Sequence, residues 1–165
     1  MSDFAQLVER ESRGLVAAVT VIVGDPHRAE EIVQDAFDRC YRRWRRVSQL
    51  DRPGAWVRRV AINAAISSRR RSTSERRAVE RLGGRAETAR QSGDPQDAFG
   101  DAALWAEVRA LPGEQAAAIA LRYVADLSVE DVAATLEVSL PAAKSLLHRG
   151  RRALRTSPHL ETYAE

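Results

Sequence analysis

Residues 127–155 read LSVEDVAATLEVSLPAAKSLLHRGRRALR. Ser128, with Asp131 three positions on, makes a capping box that opens one helix, and Ser139 caps a second. Val132, Ala133 and Leu136 on the first helix, Val138 in the turn, and Ala143, Leu146 and Leu147 on the second close into one small core. Two short helices joined by about three residues form a helix-turn-helix, whose second helix enters the major groove of DNA. At about 100° per residue that second helix divides cleanly. Ala143, Leu146, Leu147, Gly150 and Leu154 face inward, while Pro141, Lys144, Ser145, His148, Arg152 and Arg155 face outward. Arg149 and Arg151 lie on the two shoulders. No acidic residue occurs between Val138 and Pro158, so the outer face carries only cations and neutral groups. The turn has Glu137 where a left-handed backbone favours glycine, at a cost of about 1 kcal/mol.

Outward from this motif, four-residue apolar spacing dominates and period-two alternation is nearly absent, which predicts an all-α protein. A first helix is expected from Asp3 to Val23. GDP at 24–26 breaks the chain, with Asp25 as N-cap and Pro26 at the first helical position. The second helix, to about Arg46, places Ala29, Val33, Ala36, Phe37, Cys40 and Trp44 on one face, so Cys40 reads as a buried thiol. After the loop VSQLDRPG, Pro53 opens a third helix through about Arg71. Residues 72–100 are rich in Ser, Gly and charge and read as a flexible interdomain linker with room for a short, fragile helix. Four shorter helices are expected at 101–110, 112–125, 128–136 and 139–155. The expected organisation is two small helical domains: an N-terminal helical bundle over 1–71, and a C-terminal helix-turn-helix bundle over 101–157. The linker 72–100 joins them, and a frayed tail, 158–165, follows.

Charge separates these parts more sharply than the net +3 shows. Residues 3–38 hold eight acids and three arginines, whereas residues 39–71 hold eleven arginines and only Asp51. Arginine supplies 25 of the 26 basic residues, in part a matter of codon usage, but codon bias does not empty a segment of acids. An acidic stripe beside a basic one implies surfaces for a polycation and for a polyanion. The acidic side belongs to the second helix: Glu30, Glu31, Gln34, Asp35 and Asp38 point away from Val33, Phe37 and Cys40. The basic stretch RPGAWVRRVAINAAISSRRR, residues 52–71, belongs to the third. There Trp56, Arg59, Asn63, Ser67 and Arg70 fall within about 80° of one another, opposite a small-residue face of Val57, Ala61, Ala64 and Ser68.

With these residues in view the chain resembles a bacterial RNA polymerase sigma factor of the extracytoplasmic-function (ECF) group. GDPHRAEEIVQDAFDRCYRRW is similar to the group's polymerase-binding helix, and AWVRRVAINAAISSRRR to its promoter-melting helix. LPGEQAAAIALRYVADLSVEDVAATLEVS, followed by AAKSLLHRGRRAL, is similar to its promoter-reading C-terminal domain. The motifs occur in order, with the linker between them. This chain departs from the family at Pro141, Ala142 and Ala143, where Gly-Thr-Val is usual, at Leu146, where Arg is usual, and at Gly150, where Ala is usual.

The resemblance implies a transcription initiation factor with core RNA polymerase and promoter DNA as partners, and it admits an anti-sigma factor. It gives the acidic face of Glu30, Glu31, Gln34, Asp35 and Asp38 to a basic coiled coil of the polymerase. It gives Trp56, Arg59, Asn63, Ser67 and Arg70 to the single-stranded −10 element, and the loop 47–55 to the capture of a flipped base. Arginine for phosphates, a planar ring for stacking and an amide for a base edge are the chemistries that task needs. Lys144, Ser145, His148, Arg149, Arg151, Arg152 and Arg155 are expected on the −35 duplex.

The competing reading is an autonomous helix-turn-helix repressor with a sensory bundle, which would have no use for a second arginine-rich helix carrying Trp56 and Asn63. An enzyme is not indicated: there is no metal-ligand spacing, phosphate-binding glycine loop or nucleophile elbow, and His27, His148 and His159 are far apart. No cofactor is expected. The lone cysteine forbids an internal disulfide, the N-terminus has no signal-peptide pattern, and no apolar run reaches the length of a membrane span. The expected location is the cytoplasm.

Overall fold

The computed structural model describes residues 3–83 and 102–157. The elements are α1 (Asp3–Val23), α2 (Pro26–Arg42), the single turn α3 (Trp44–Val47), α4 (Pro53–Arg81), α5 (Ala102–Ala110), α6 (Gly113–Ile119), a π-helical turn (Ala120–Val124), α7 (Val129–Leu136) and α8 (Leu140–Arg155). No strand occurs among the described residues, in keeping with the all-α expectation. The expected tail and most of the expected linker, residues 84–100, lie outside the described residues, as does His159.

Local chemistry sets most boundaries. The Asp25 carboxylate accepts from the His27 N–H at 3.0 Å, and Pro26 follows as the first helical residue. Ser128 accepts from the Asp131 N–H at 3.1 Å, and Ser139 from the Ala142 N–H at 3.2 Å. Each bond satisfies one of the donors a helix start leaves open. Glu137 takes the left-handed conformation at φ 54° and ends α7 with the geometry the turn requires.

α4 differs from expectation. It runs ten residues beyond Arg71, to Arg81, and ends before Gly83, which is left-handed at φ 70°. Residues 72–81 are exposed on every side, so their polar composition is that of a solvated helix. Their serines and threonine are modest helix formers, but a helix already nucleated by the packed turns 53–71 gains a hydrogen bond for each residue it adds.

The two helical regions, 3–81 and 102–155, share one hydrophobic core. α1 is its spine, with Leu15, Ala18, Val19, Val21 and Ile22 all buried. It meets α2 and α4 on one side and α5 and the π turn on the other. Gly14 of α1 faces Ala125 at the end of the π turn, where a Cβ would sit 3.5 Å away, an ordinary packing distance. Arg69 of α4 donates to the Leu111 carbonyl at 2.9 Å, capping the end of α5 from across the interface. Within the C-terminal region α8 packs on α6 and α7. Gly150 is required there, since a Cβ would lie 2.8 Å from the buried Ile119 side chain.

Candidate nucleic-acid interfaces

The surface of α8 is as the wheel requires. Ala143, Leu146, Leu147 and Gly150 are buried, while Lys144, Ser145, His148, Arg149, Arg152 and Arg155 are exposed. Leu146, at a position usually Arg in the family, is only 9% exposed, so this chain has a core residue there in place of a further cation. Arg151 is half-buried and donates to the Tyr123 hydroxyl at 2.8 Å. Tyr123 is 52% exposed on the π turn, and the Arg122 guanidinium lies 5.9 Å from its ring centroid. Neither Tyr123 nor Arg122 stands out in the sequence. Their signal was a solitary exposed aromatic between apolar helices, which periodicity does not detect.

The α4 face is only partly free. Asn63, Ser67 and Arg70 are exposed and aligned, but Trp56 is half-buried and leans on the core. Arg59 is half-buried too, and its guanidinium donates to the Glu137 carboxylate in the helix-turn-helix turn. Its Nε is buried with no hydrogen-bond partner among the described residues, a cost of about 1–3 kcal/mol. Arg58, next in sequence, is on the buried side and 5% exposed. It donates to Glu11 of α1 at 2.7 Å and to the Thr135 hydroxyl of α7 at 2.9 Å. Thr135 in turn donates to the Asp131 carbonyl at 2.7 Å. Arg52, at the head of α4, pairs with the Asp131 carboxylate at 2.8 Å. Gly54 is held open for this network, because a Cβ there would lie 2.5 Å from the Glu11 carboxylate.

On α2, Glu30, Glu31, Gln34, Asp35 and Asp38 are all exposed. Three of them pair with arginines of their own helix: Glu31 with Arg28 at 3.1 Å, Asp35 with Arg39 at 3.3 Å, and Asp38 with Arg42 at 3.0 Å. Exposed pairs at this spacing contribute about 0.3–0.5 kcal/mol each, so a partner's cations can displace them cheaply. Beneath this face Cys40 is buried, and burial pushes its thiol up to about 11. It is a packing residue. Among the described residues no cluster of three His, Cys, Asp or Glu could hold a metal ion, and no helix is long and apolar enough to cross a membrane.

An all-helical chain with a helix-turn-helix reader, a second arginine-rich helix and an exposed acidic helix defines a DNA-directed transcription protein. Residues 7–75 match the family model of Sigma-70 region 2, and residues 101–154 that of Sigma-70, region 4. The chain is 30% identical to the RNA polymerase sigma-E factor of Streptomyces coelicolor, over 93% of this chain and 84% of that one. It is 26% identical to the ECF RNA polymerase sigma factor SigW of Bacillus subtilis, over 92% and 87% of the two chains. Its fold is similar to that of the sigma factor RpoE of Bartonella quintana, solved in complex with the anti-sigma factor NepR, with a TM-score of 0.69. That likeness covers 94% of this chain and 96% of RpoE at 22% identity. The chain belongs to the ECF group of RNA polymerase sigma factors and is a transcription initiation factor.

Proposed function

We propose that the chain binds core RNA polymerase through the exposed acidic side of α2 and directs it to promoters, with α8 reading the −35 duplex and α4 holding the opened −10 strand. The observation that carries this reading is the placement of three separate faces on one chain: one acidic, and two rich in arginine. Residues 1–71 form the polymerase-binding and −10 domain, 72–100 the connection and 101–157 the −35 domain. The protein acts in the cytoplasm, without catalysis of its own. An anti-sigma factor is a fitting regulator, since RpoE of B. quintana was solved with one.

Run-off transcription with core polymerase, followed by mapping of start sites, tests the reading. Promoter-dependent transcript is expected only when both proteins are present, and a chain that retards duplex promoter DNA equally well by itself would instead be the autonomous repressor.

Within the −35 face, Arg149→Ala should cost roughly 1–3 kcal/mol at one promoter position and little elsewhere, as expected of a base-reading contact. Arg152→Ala or Arg155→Ala should weaken all sequences alike and lower the salt slope by about one. Titration of a set of single-base −35 variants with the holoenzyme separates the two behaviours. A uniform loss for Arg149→Ala would move it among the phosphate contacts.

On α4, Asn63→Ala should leave polymerase binding and the closed complex nearly intact while lowering open complex and transcript. Flipping a base costs a few kcal/mol, more than a single small domain supplies, so the polymerase must hold the DNA while α4 traps the strand. A template already unpaired across the −10 element should recover part of the defect. Permanganate footprinting on duplex and pre-opened templates is the measurement, and normal opening by an Asn63→Ala, Arg59→Ala double mutant would remove this face from the −10 site.

A further inference from the structure

Tyr123 belongs to neither of the DNA-reading faces described above. It is exposed, although Ala120 and Leu121 just before it are fully buried. The backbone turns it out: the Ala120 carbonyl accepts from the Ala125 N–H at 3.1 Å, the i to i+5 bond of a π turn, a form frequent at functional sites. Two arginines then hold the ring where it stands. The Arg122 guanidinium, tied to the Leu127 carbonyl at 3.0 Å, lies 5.9 Å from the ring centroid. Arg151 of α8 donates to the hydroxyl at 2.8 Å. Among the described residues neither arginine forms an ion pair, so two uncompensated cations and a phenol meet at one exposed point.

The chemistry of the pair decides what such a point takes. A phenol has one proton to donate and lone pairs that accept. Arg151 occupies a lone pair, so the O–H proton is left to donate outward, and the guanidinium beside it has further N–H donors. Donors from a phenol and a guanidinium in contact suit an oxyanion, where charge-assisted bonds are the strong ones. The position suits the oxyanion of a DNA backbone. At about 100° per residue Arg151 stands about 20° from Lys144 and about 40° from Arg155 around α8, and both of these are exposed. Tyr123 therefore lies along one edge of the outward face. A helix in the major groove presents its edges to the phosphates that wall the groove.

We propose that Tyr123 is a DNA-contacting residue: its hydroxyl, oriented by Arg151, donates to one backbone phosphate beside the −35 element and fixes the register in which α8 is seated. The inference rests on the proposed −35 role of α8 and adds a contact from outside the helix-turn-helix. It also gives Arg151 a double task, holding the phenol and sharing its phosphate.

The test uses the holoenzyme and a promoter duplex from the mapped set, with a neutral methylphosphonate placed at one −35 backbone position at a time. The unmutated protein should lose affinity at several positions. Tyr123→Phe deletes only the hydroxyl. It should bind every −35 variant about threefold to tenfold more weakly, the effect of one hydrogen bond, with an unchanged salt slope because no charge is lost. At one backbone position the methylphosphonate should cost Tyr123→Phe much less than it costs the unmutated protein, since the phosphate replaced there has already lost a donor. Arg151→Ala should be relieved at the same position. The Tyr123→Phe, Arg151→Ala double variant should lose less than the product of the two single losses, as expected of groups that share one partner. Unchanged affinity for Tyr123→Phe, or a loss with no position relieved, would overturn the contact. So would an unchanged profile with weaker binding of core polymerase, which would give the hydroxyl to the polymerase. The profile of the unmutated protein reports separately on the underlying reading. Losses at −35 positions together with an inert Tyr123→Phe overturn this contact alone, and a profile without −35 losses overturns both.

Discussion

Glu11→Ala will lower the free energy of unfolding by about 3–5 kcal/mol, the range for removing one partner of a buried ion pair. Glu11 is the short-range anion for Arg58, whose side chain is 6% exposed, while the Glu11 side chain is 11% exposed. The Asp131 carboxylate, at 3.8 Å from the same guanidinium, is too distant to replace it with a good hydrogen bond. Thr135 still accepts from Nε but supplies no charge. The loss thus leaves a buried cation under-compensated, which is costlier than never having had the pair. Arg58→Met, which removes the charge and keeps the bulk, should be milder than Glu11→Ala. Urea denaturation followed by circular dichroism measures both, with Glu30→Ala as an exposed control expected within about 0.5 kcal/mol of the unmutated chain. A Glu11→Ala loss no larger than that of the control would mean the pair does not hold α1, α4 and α7 together.

The second large effect is on association. Reversing both Glu31 and Asp35 to lysine should weaken binding to core polymerase by several kcal/mol, because it sets like charges against a basic partner surface. The fold should survive. Both side chains are exposed, and each gives up only a helix-surface pair, with Arg28 and Arg39, in exchange for a like-charge neighbour costing a few tenths of a kcal/mol. Co-purification with core polymerase and the far-ultraviolet dichroism of the free variant decide the matter together. Unchanged co-purification would remove α2 from the polymerase interface. Loss of helical signal would show instead that the reversal acts through the fold.

What could be read from the sequence was local. The caps at Asp25, Ser128 and Ser139, the buried and exposed sides of α8, and the stripe carrying Cys40 all follow from groups a few residues apart. The clasp between α4 and α7 was not legible, because Arg58 and Thr135 are 77 residues apart. Arg58 and Arg59 are also chemically identical in the sequence, although one turns into the core and the other towards the side of α4 that carries Asn63. A signal did exist: Arg58 shares its side of α4 with Ala61, Ile62 and Ala65, all of them buried. An arginine on that stripe needs a buried anion, and the acids of α1 were the nearest supply. The π turn at Ala120–Val124 was likewise read as plain helix, since one extra residue in a turn leaves the apolar spacing almost unchanged.

The extension of α4 to Arg81 also has a metric consequence. A residue in an extended chain covers up to about 3.5 Å, whereas one in a helix advances 1.5 Å. Winding residues 72–81 into helix therefore removes about 35 Å of extended contour from the connection between the two helical regions. It returns about 15 Å as a stiff rod whose direction is fixed by the packed half of the same helix. The reach of the chain that leaves this rod is thus set partly by a helix end at Gly83, and on the proposed reading a change there alters how far apart two promoter elements can be held.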